Sequence, residues 1–229
     1  MMNDVAKIFS EAGKSLTVEQ ENLFVLYREY LKEYNEKVNL TAITDDREIA
    51  VKHFLDSVLG EKFLPRNATV VDVGSGAGFP AVPIKIVRPD LKFTLMDSLN
   101  KRIVFLQSLT EKMGLSDVTP VHMRAEEGAK TYREKFDAAV ARAVAPLPTL
   151  LEYVLPLVRV GGVFVAYKGN AEEELTQSER ALRILGGKLL CREEFLLCGD
   201  KRTVLVFEKA SKTPDRYPRL QNKPRISPL

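Results

Sequence analysis

The residues of greatest chemical promise lie between Thr69 and Pro80. An apolar β-branched run, Thr69-Val70-Val71, meets the carboxylate of Asp72; glycines then recur at alternate positions, Gly74, Gly76 and Gly78, before an apolar stretch opens at Phe79. This succession reads as a buried strand, a tight turn and a helix start, the place where an open α/β sheet receives a nucleotide-like ligand. It is not the G-x-G-x-x-G of a dinucleotide fold, and a phosphate-binding turn would avoid Asp72. A glycine-rich turn with no ligand is the alternative. Leu91 to Asp97 is a second short strand pattern ending in an acid, about 20 residues after the first glycine, where a neighbouring strand delivers a carboxylate to ribose hydroxyls. Two charge-assisted hydrogen bonds there are worth about 1.5–3 kcal/mol each. Asp97 could instead cap the helix that begins near Leu99, a job Ser98 could share.

Acidic-x-Gly-x-Gly-x-Gly resembles the first motif of S-adenosylmethionine (SAM)-dependent methyltransferases. SAM carries a sulfonium cation and no pyrophosphate, so a carboxylate at the turn helps. Other signals exclude neighbouring chemistries. Where amino-group methyltransferases carry Asn/Asp-Pro-Pro-aromatic, this chain reads Ala141-Arg142-Ala143-Val144-Ala145-Pro146. Cys191 and Cys198 fall late, in strand patterns, and suit core or edge positions better than a nucleophile. There is no HExxH, P-loop or nucleophile elbow, and His53 and His122 are too few and too separated for a metal site.

These residues need a scaffold. Thr17-x-x-Gln20 reads as a capping box followed by apolar residues at helical spacing, and Asp45 or Asp46 could cap another helix that Gly60 and Pro65 end. Residues 1–64 therefore read as a helical cap. From Ala68 the periodicity alternates, with strands expected at 69–73, 91–96, 118–122, 136–141 and 162–167 and helices near 79–87, 99–113, 124–132, 146–159 and 171–185. Runs 187–197 and 201–208 then flank Cys198-Gly199-Asp200 as a hairpin. The expected architecture is α/β: a seven-stranded, Rossmann-like methyltransferase sheet over 65–210 behind the helical cap. Arg142 ends the fourth strand beside the cofactor crevice.

The whole chain has 229 residues, 45% hydrophobic and 28% charged, which is globular composition and excludes wholesale disorder. Two cysteines, no 18-residue apolar run and no signal-peptide pattern lead us to expect a cytoplasmic, non-membrane protein, and we expect a monomer. The charge is uneven. Residues 201–229 hold eight Lys and Arg against Glu208 and Asp215, a net +6, leaving the first 200 at −3. With Pro214, Pro218, Pro224 and Pro228, the tail 211–229 is expected to be non-helical, extended over a surface and suited to phosphate, or else a solvated end.

Taken together, Asn39 to Ile43, Lys52 to Ser57, Asp72 to Pro80, Asp97 to Arg102, Arg124 to Glu126 and Ala141 to Ala145 resemble the glucose-inhibited division protein B family, from about residue 23 to residue 219. Beyond Arg219 the match loosens, since Leu220-Gln221-Asn222-Lys223-Pro224 lacks an expected glycine. The resemblance implies a bacterial enzyme that uses SAM to methylate N7 of one guanine in 16S rRNA, with the rRNA or small ribosomal subunit as partner. It also implies that Gly74 and Phe79 line the cofactor and that Ala125 and Glu126 contact adenine. Guanine N7 has an in-plane lone pair and no proton to lose, so no general base is needed, and positioning can carry catalysis.

Within that reading Asp72, Gly74, Gly76, Gly78, Phe79, Asp97, Ala125, Glu126 and Arg142 are cofactor candidates. Arg142 is also the catalytic candidate, able to fork onto guanine O6, a phosphate or the methionine carboxylate. Its structural alternative is an ion pair with Asp56 or Asp72. Lys52, His53, Lys168, Arg216 and Arg219 are candidates for RNA. The other functional readings are a SAM methyltransferase with a protein or small-molecule substrate and a SAM-retaining RNA-binding assembly factor.

Overall fold

The computed structural model describes residues 4–197 and 199–229; Cys198, in the anticipated hairpin turn, lies outside them. Helices α1 (Asp4–Glu11) and α2 (Val18–Val38) come first. Thr17 caps α2 reciprocally: its hydroxyl accepts from the Gln20 amide at 3.2 Å, and its own amide donates to the Gln20 side chain at 2.9 Å. Asp45 caps α3 (Asp46–Glu48), which runs through a π-helical segment, Ile49–Leu55, into α4 (Asp56–Val58). Lys52 and His53 sit on the π segment, a feature that concentrates at functional sites.

Strands and helices then alternate as β1 (Thr69–Val73), α5 (Ala81–Val87), β2 (Lys92–Asp97), α6 (Asn100–Lys112), β3 (Val118–His122), α7 (Ala125–Tyr132), β4 (Phe136–Arg142), α8 (Leu147–Val154) and β5 (Val158–Lys168). Next come α9 (Glu172–Gln177), α10 (Glu179–Leu185) and the hairpin strands β6 (Gly187–Leu197) and β7 (Asp200–Lys209). The seven strands are ordered β3-β2-β1-β4-β5-β7-β6, with β7 antiparallel to both neighbours. The order reverses between β1 and β4, so the crevice at their carboxyl ends is the switch point that favours ligand binding. Among the described residues no helix is long and apolar enough to cross a membrane.

Alternation along β1 sorts the core. Val70 joins the apolar cluster under the N-terminal helices, α5 and α6, whereas Val71 and Val73 join the opposite cluster with α8 and α10. Three expectations need correction. The helix expected at 146–159 ends at Val154; a 3₁₀ turn, Leu155–Leu157, precedes β5, because Pro156 cannot donate within a helix. The helix expected at 171–185 is two, α9 and α10, separated at Ser178. The tail is neither wholly extended nor free of helix. Its prolines Pro218 and Pro224 are buried, and Pro224 lies in the first turn of α11 (Lys223–Ile226), where no amide donor is required.

Candidate active site

The turn after β1 places Gly74, Gly76 and Gly78 at positive φ, and each glycine answers a different need. A Cβ on Gly74 would lie 2.6 Å from Val144, and one on Gly78 2.7 Å from the Tyr27 hydroxyl, whereas one on Gly76 would meet only the Gly74 carbonyl oxygen, at an uncrowded 3.9 Å. The Gly76 amide donates to Asp97 Oδ2 at 2.9 Å, which ties the turn to the end of β2. Asp97 also accepts from the Leu99 amide at 2.9 Å and from Arg102 at 3.2 Å. It thus supports the start of α6 as the alternative reading proposed, while lining the crevice as well. A carboxylate offers about four acceptor positions, so these bonds leave room for a hydroxyl.

A cavity of about 270 Å³ opens there, lined by Gly74, Asp97, Ala125 and Glu126 among the expected residues. Val73, Met96, Met123 and Val144 add apolar walls. Two carboxylates, a side-chain-free turn and two thioether side chains in one lining suit an adenosine that carries a cationic sulfonium. Asp72 does not line this cavity. By strand alternation it points to the other face, fully buried; Oδ2 accepts a long bond from the Ala81 amide, and among the described residues Oδ1 has no partner. Burial raises its pKa above the ordinary carboxylate range, and its place outside the cavity lining gives it no contact with a sulfonium held there. Gly76 and Gly78 shape the turn from behind. Phe79 stacks on His53, with centroids 4.4 Å apart, and lies under the Arg142 guanidinium at 4.9 Å, outside the cofactor cavity.

Arg142 ends β4 and forms the ion pair that was its structural alternative. Its Nη1 donates to Asp56 Oδ2 at 2.7 Å and to the Lys52 carbonyl at 3.0 Å, and its Nη2 to His53 Nδ1 at 3.3 Å. That bond makes Nδ1 an acceptor, so Nε2 carries the proton toward Thr41 Oγ1, 2.8 Å away. Burial and the neighbouring guanidinium lower the His53 pKa to about 4. The ring is neutral at physiological pH, which removes it as a cationic RNA contact.

Arg142, Lys52, His53 and Lys168 line a second cavity of about 340 Å³, joined by Arg202, which sequence reasoning missed. Arg202 lies 3.6 Å from Asp56, so this buried carboxylate faces two guanidinium groups. Lys168 is committed elsewhere, to Glu174 at 2.6 Å and the Ala145 carbonyl at 2.8 Å, and Lys52 pairs with Glu48 at 2.6 Å. Ala143 belongs to both cavities and holds φ of 56°, a left-handed conformation uncommon for alanine and enriched where function demands it.

The remaining RNA candidates, Arg216 and Arg219, line a third cavity that shares Glu126 with the first. Arg216 is exposed and stacks on Tyr217 along a groove that Lys130, Arg133 and Lys223 also line. Arg219 is a structural group: Nε and Nη2 fork onto Glu152 at 2.9 and 2.6 Å, and Glu152 is fully buried. An acid inside the apolar run of α8 was the available signal that some cation had to meet it. The tail further supplies Asn222 and Arg225 to the cofactor cavity, and neither had been anticipated.

Comparison with known proteins extends the geometry. Residues 20–201 match the model of the GidB family, described as rRNA small subunit methyltransferase G. The chain is 51% identical over 222 residues to a ribosomal RNA small subunit methyltransferase G of Acetivibrio thermocellus, covering 95% of this chain and 92% of that one. It is 50% identical over 230 residues to that of Lactobacillus acidophilus, covering 96% and 95%. Among solved structures, a SAM-dependent methyltransferase from Aquifex aeolicus aligns with a TM-score of 0.57 at 18% identity over 74% of this chain and 97% of its own, a likeness of fold.

Proposed function

From the premise that this chain belongs to the GidB family, rRNA small subunit methyltransferase G, we propose that it transfers the methyl of SAM to N7 of a guanine in 16S rRNA. The observation that carries the reading is the meeting of two cavities at Ala143, one with nucleoside-binding chemistry and one rimmed by Arg142, Arg202 and Lys52. The first would hold SAM through Asp97 and Glu126 and the Gly74 turn; SAM supplies an electrophilic methyl on a sulfonium. The second would take the target guanine, splayed out of its strand so that N7 is reachable.

The transfer forms an N7–carbon bond and breaks a sulfur–carbon bond, leaving a neutral thioether and a cationic purine. No proton moves, which suits a site whose histidine is neutral and committed to Thr41 and Arg142. A bare guanidinium beside the nascent purine cation would oppose the reaction. Asp56 offsets part of that charge while also facing Arg202, and it fixes Arg142 as an oriented donor, with Nε and the second Nη2 hydrogen available to guanine O6 or a flanking phosphate. Arg216 and Lys223, on the tail groove, would meet phosphates at a distance from the reacting base. The deciding experiment maps methylated guanines in 16S rRNA from cells with and without this protein. The reading predicts one N7-methylguanine lost on deletion; identical maps would overturn it.

A further inference from the structure

Among the residues that face the cofactor cavity, the two most remote in sequence come from the tail. Resting on the assignment of that cavity to SAM, we propose that the C-terminal segment is a working wall of the cofactor site, in which Arg225 contacts the adenosine and Asn222 positions the residues that bind it.

The geometry is a relay. Asn222 Oδ1 accepts from Arg124 Nη2 at 2.6 Å, and Arg124 Nε donates to Glu126 Oε1 at 2.9 Å. Glu126 is buried at the start of α7, on the cavity wall. A freely rotating Arg124 could not hold that carboxylate in one orientation, whereas an arginine fixed at both ends can. Asn222 sits at φ of 58°, a conformation that glycine adopts without strain and asparagine tolerates better than most residues. Asn222 thus fits a backbone that would suit glycine and adds a side chain that glycine would lack.

Arg225 follows on the first turn of α11, and among the described residues no carboxylate pairs with it. Arg225 lines the cavity together with Tyr153, and a guanidinium there can lie against a purine face or donate to a ring nitrogen. The segment is held firmly enough to act as a wall. Arg219 is forked onto Glu152, Thr149 Oγ1 donates to the Pro224 carbonyl at 2.8 Å, and Arg219 Nη2 donates to the Ser227 carbonyl at 2.9 Å.

Calorimetric titration of the full-length chain with SAM tests this. Binding to the unaltered protein comes first, since its failure would remove the proposed function rather than the tail's part in it. Arg225→Ala is expected to weaken SAM by roughly 5- to 30-fold at unchanged thermal midpoint. Asn222→Gly, which suits the backbone, should weaken it by about 3- to 10-fold, and Asn222→Asp, which keeps the acceptor, should restore it. Ile226→Ala, at a side chain 78% exposed on the same helical turn, should leave affinity unchanged. The proposal is overturned if Arg225→Ala and Asn222→Gly both bind SAM within about twofold of the parent. It is overturned equally if Asn222→Asp binds as poorly as Asn222→Gly, or Ile226→Ala as poorly as Arg225→Ala.

Discussion

Two arginines line the cavities on either side of the first cavity, Arg142 in the one that shares Ala143 with it and Arg219 in the one that shares Glu126. Each stands against a buried carboxylate, and they serve different ends. On the tail rim Arg219 is the cation paired with Glu152, taking both carboxylate oxygens and pinning the C-terminal segment to α8. On the cap rim Asp56 has two cations, Arg142 at 2.7 Å and Arg202 at 3.6 Å, and Arg142 borders an open cavity beside a strained Ala143. The role of an arginine is set by whether its carboxylate has a second partner and by what its remaining donors face. Where there is one partner, the pair is a fastener. Where there are two, one guanidinium can be aimed at a ligand without leaving a buried charge alone.

The largest effect should come from breaking the exclusive pair. Arg219→Ala strands the Glu152 carboxylate in an apolar helix, and losing one member of such a pair costs about 3–5 kcal/mol. Urea unfolding should show that loss, with a thermal midpoint lower by roughly 6–20 °C for a chain of this size. A loss below about 1 kcal/mol, accompanied by weaker RNA binding, would return Arg219 to the role its charge alone suggested.

The shared pair should behave in the opposite way. Arg142→Ala leaves Asp56 near Arg202, so stability should fall by only about 1 kcal/mol, while single-turnover methyl transfer drops on the order of 100- to 1,000-fold. Arg142→Lys should recover little, since an ammonium cannot reproduce a planar fork held at Asp56, Lys52 and His53. Parallel losses of stability and activity in Arg142→Ala would make both rims fasteners and erase the contrast.

What could be read from the sequence follows the range of the interaction responsible. The strands, the Thr17 capping box and the glycine turn rest on spacing and residue type within a few positions, and the structure forms all of them, with strand bounds within one residue of those expected except for β5, which starts at Val158 rather than at 162. The cavity joins Gly74 to Asp97 because parallel neighbours β1 and β2 end together. The tail could not be read so. Its composition describes a solvated, extended end, but Arg219 meets Glu152 across 67 positions and Arg124 meets Asn222 across 98, contacts that no local pattern encodes. Lys168 lines the second cavity as expected of a rim residue, but it is bonded to Glu174, six residues on, a partner that its place at a strand end does not reveal.

A smaller effect separates the two faces of the tail. If Arg216 and Lys223 each meet a phosphate, their double alanine variant should shallow the dependence of log RNA affinity on log salt by about 1.4, at about 0.7 per single-strand contact. Lys168→Ala should not shallow it, because Lys168 is already bound to Glu174 and a carbonyl. The reverse pattern would move RNA binding to the cap rim.

The smallest effect probes the cap rim through pH. His53 is packed against Phe79 and faces Arg142, with Lys52 and Asp56 nearby on the same helical segment, and its pKa in the folded protein is about 4 against about 6.5 unfolded. Folding therefore favours the neutral ring. Between about pH 4 and 6.5 the unfolded chain holds more protons at this position, so His53 makes stability rise with pH through that window; its contribution is complete above 6.5 and lost below 4. Histidine 53 to asparagine, His53→Asn, keeps a donor and an acceptor but cannot titrate. Urea unfolding at pH 4.5 and 7.5 should show the parent losing on the order of 1 kcal/mol more than the variant on acidification, against carboxylate titrations common to both. Equal losses would mean that His53 titrates alike in the folded and unfolded chain. On acidification a third cation would then join Arg142 and Arg202 around Asp56, and Arg142 would no longer be spared for the substrate.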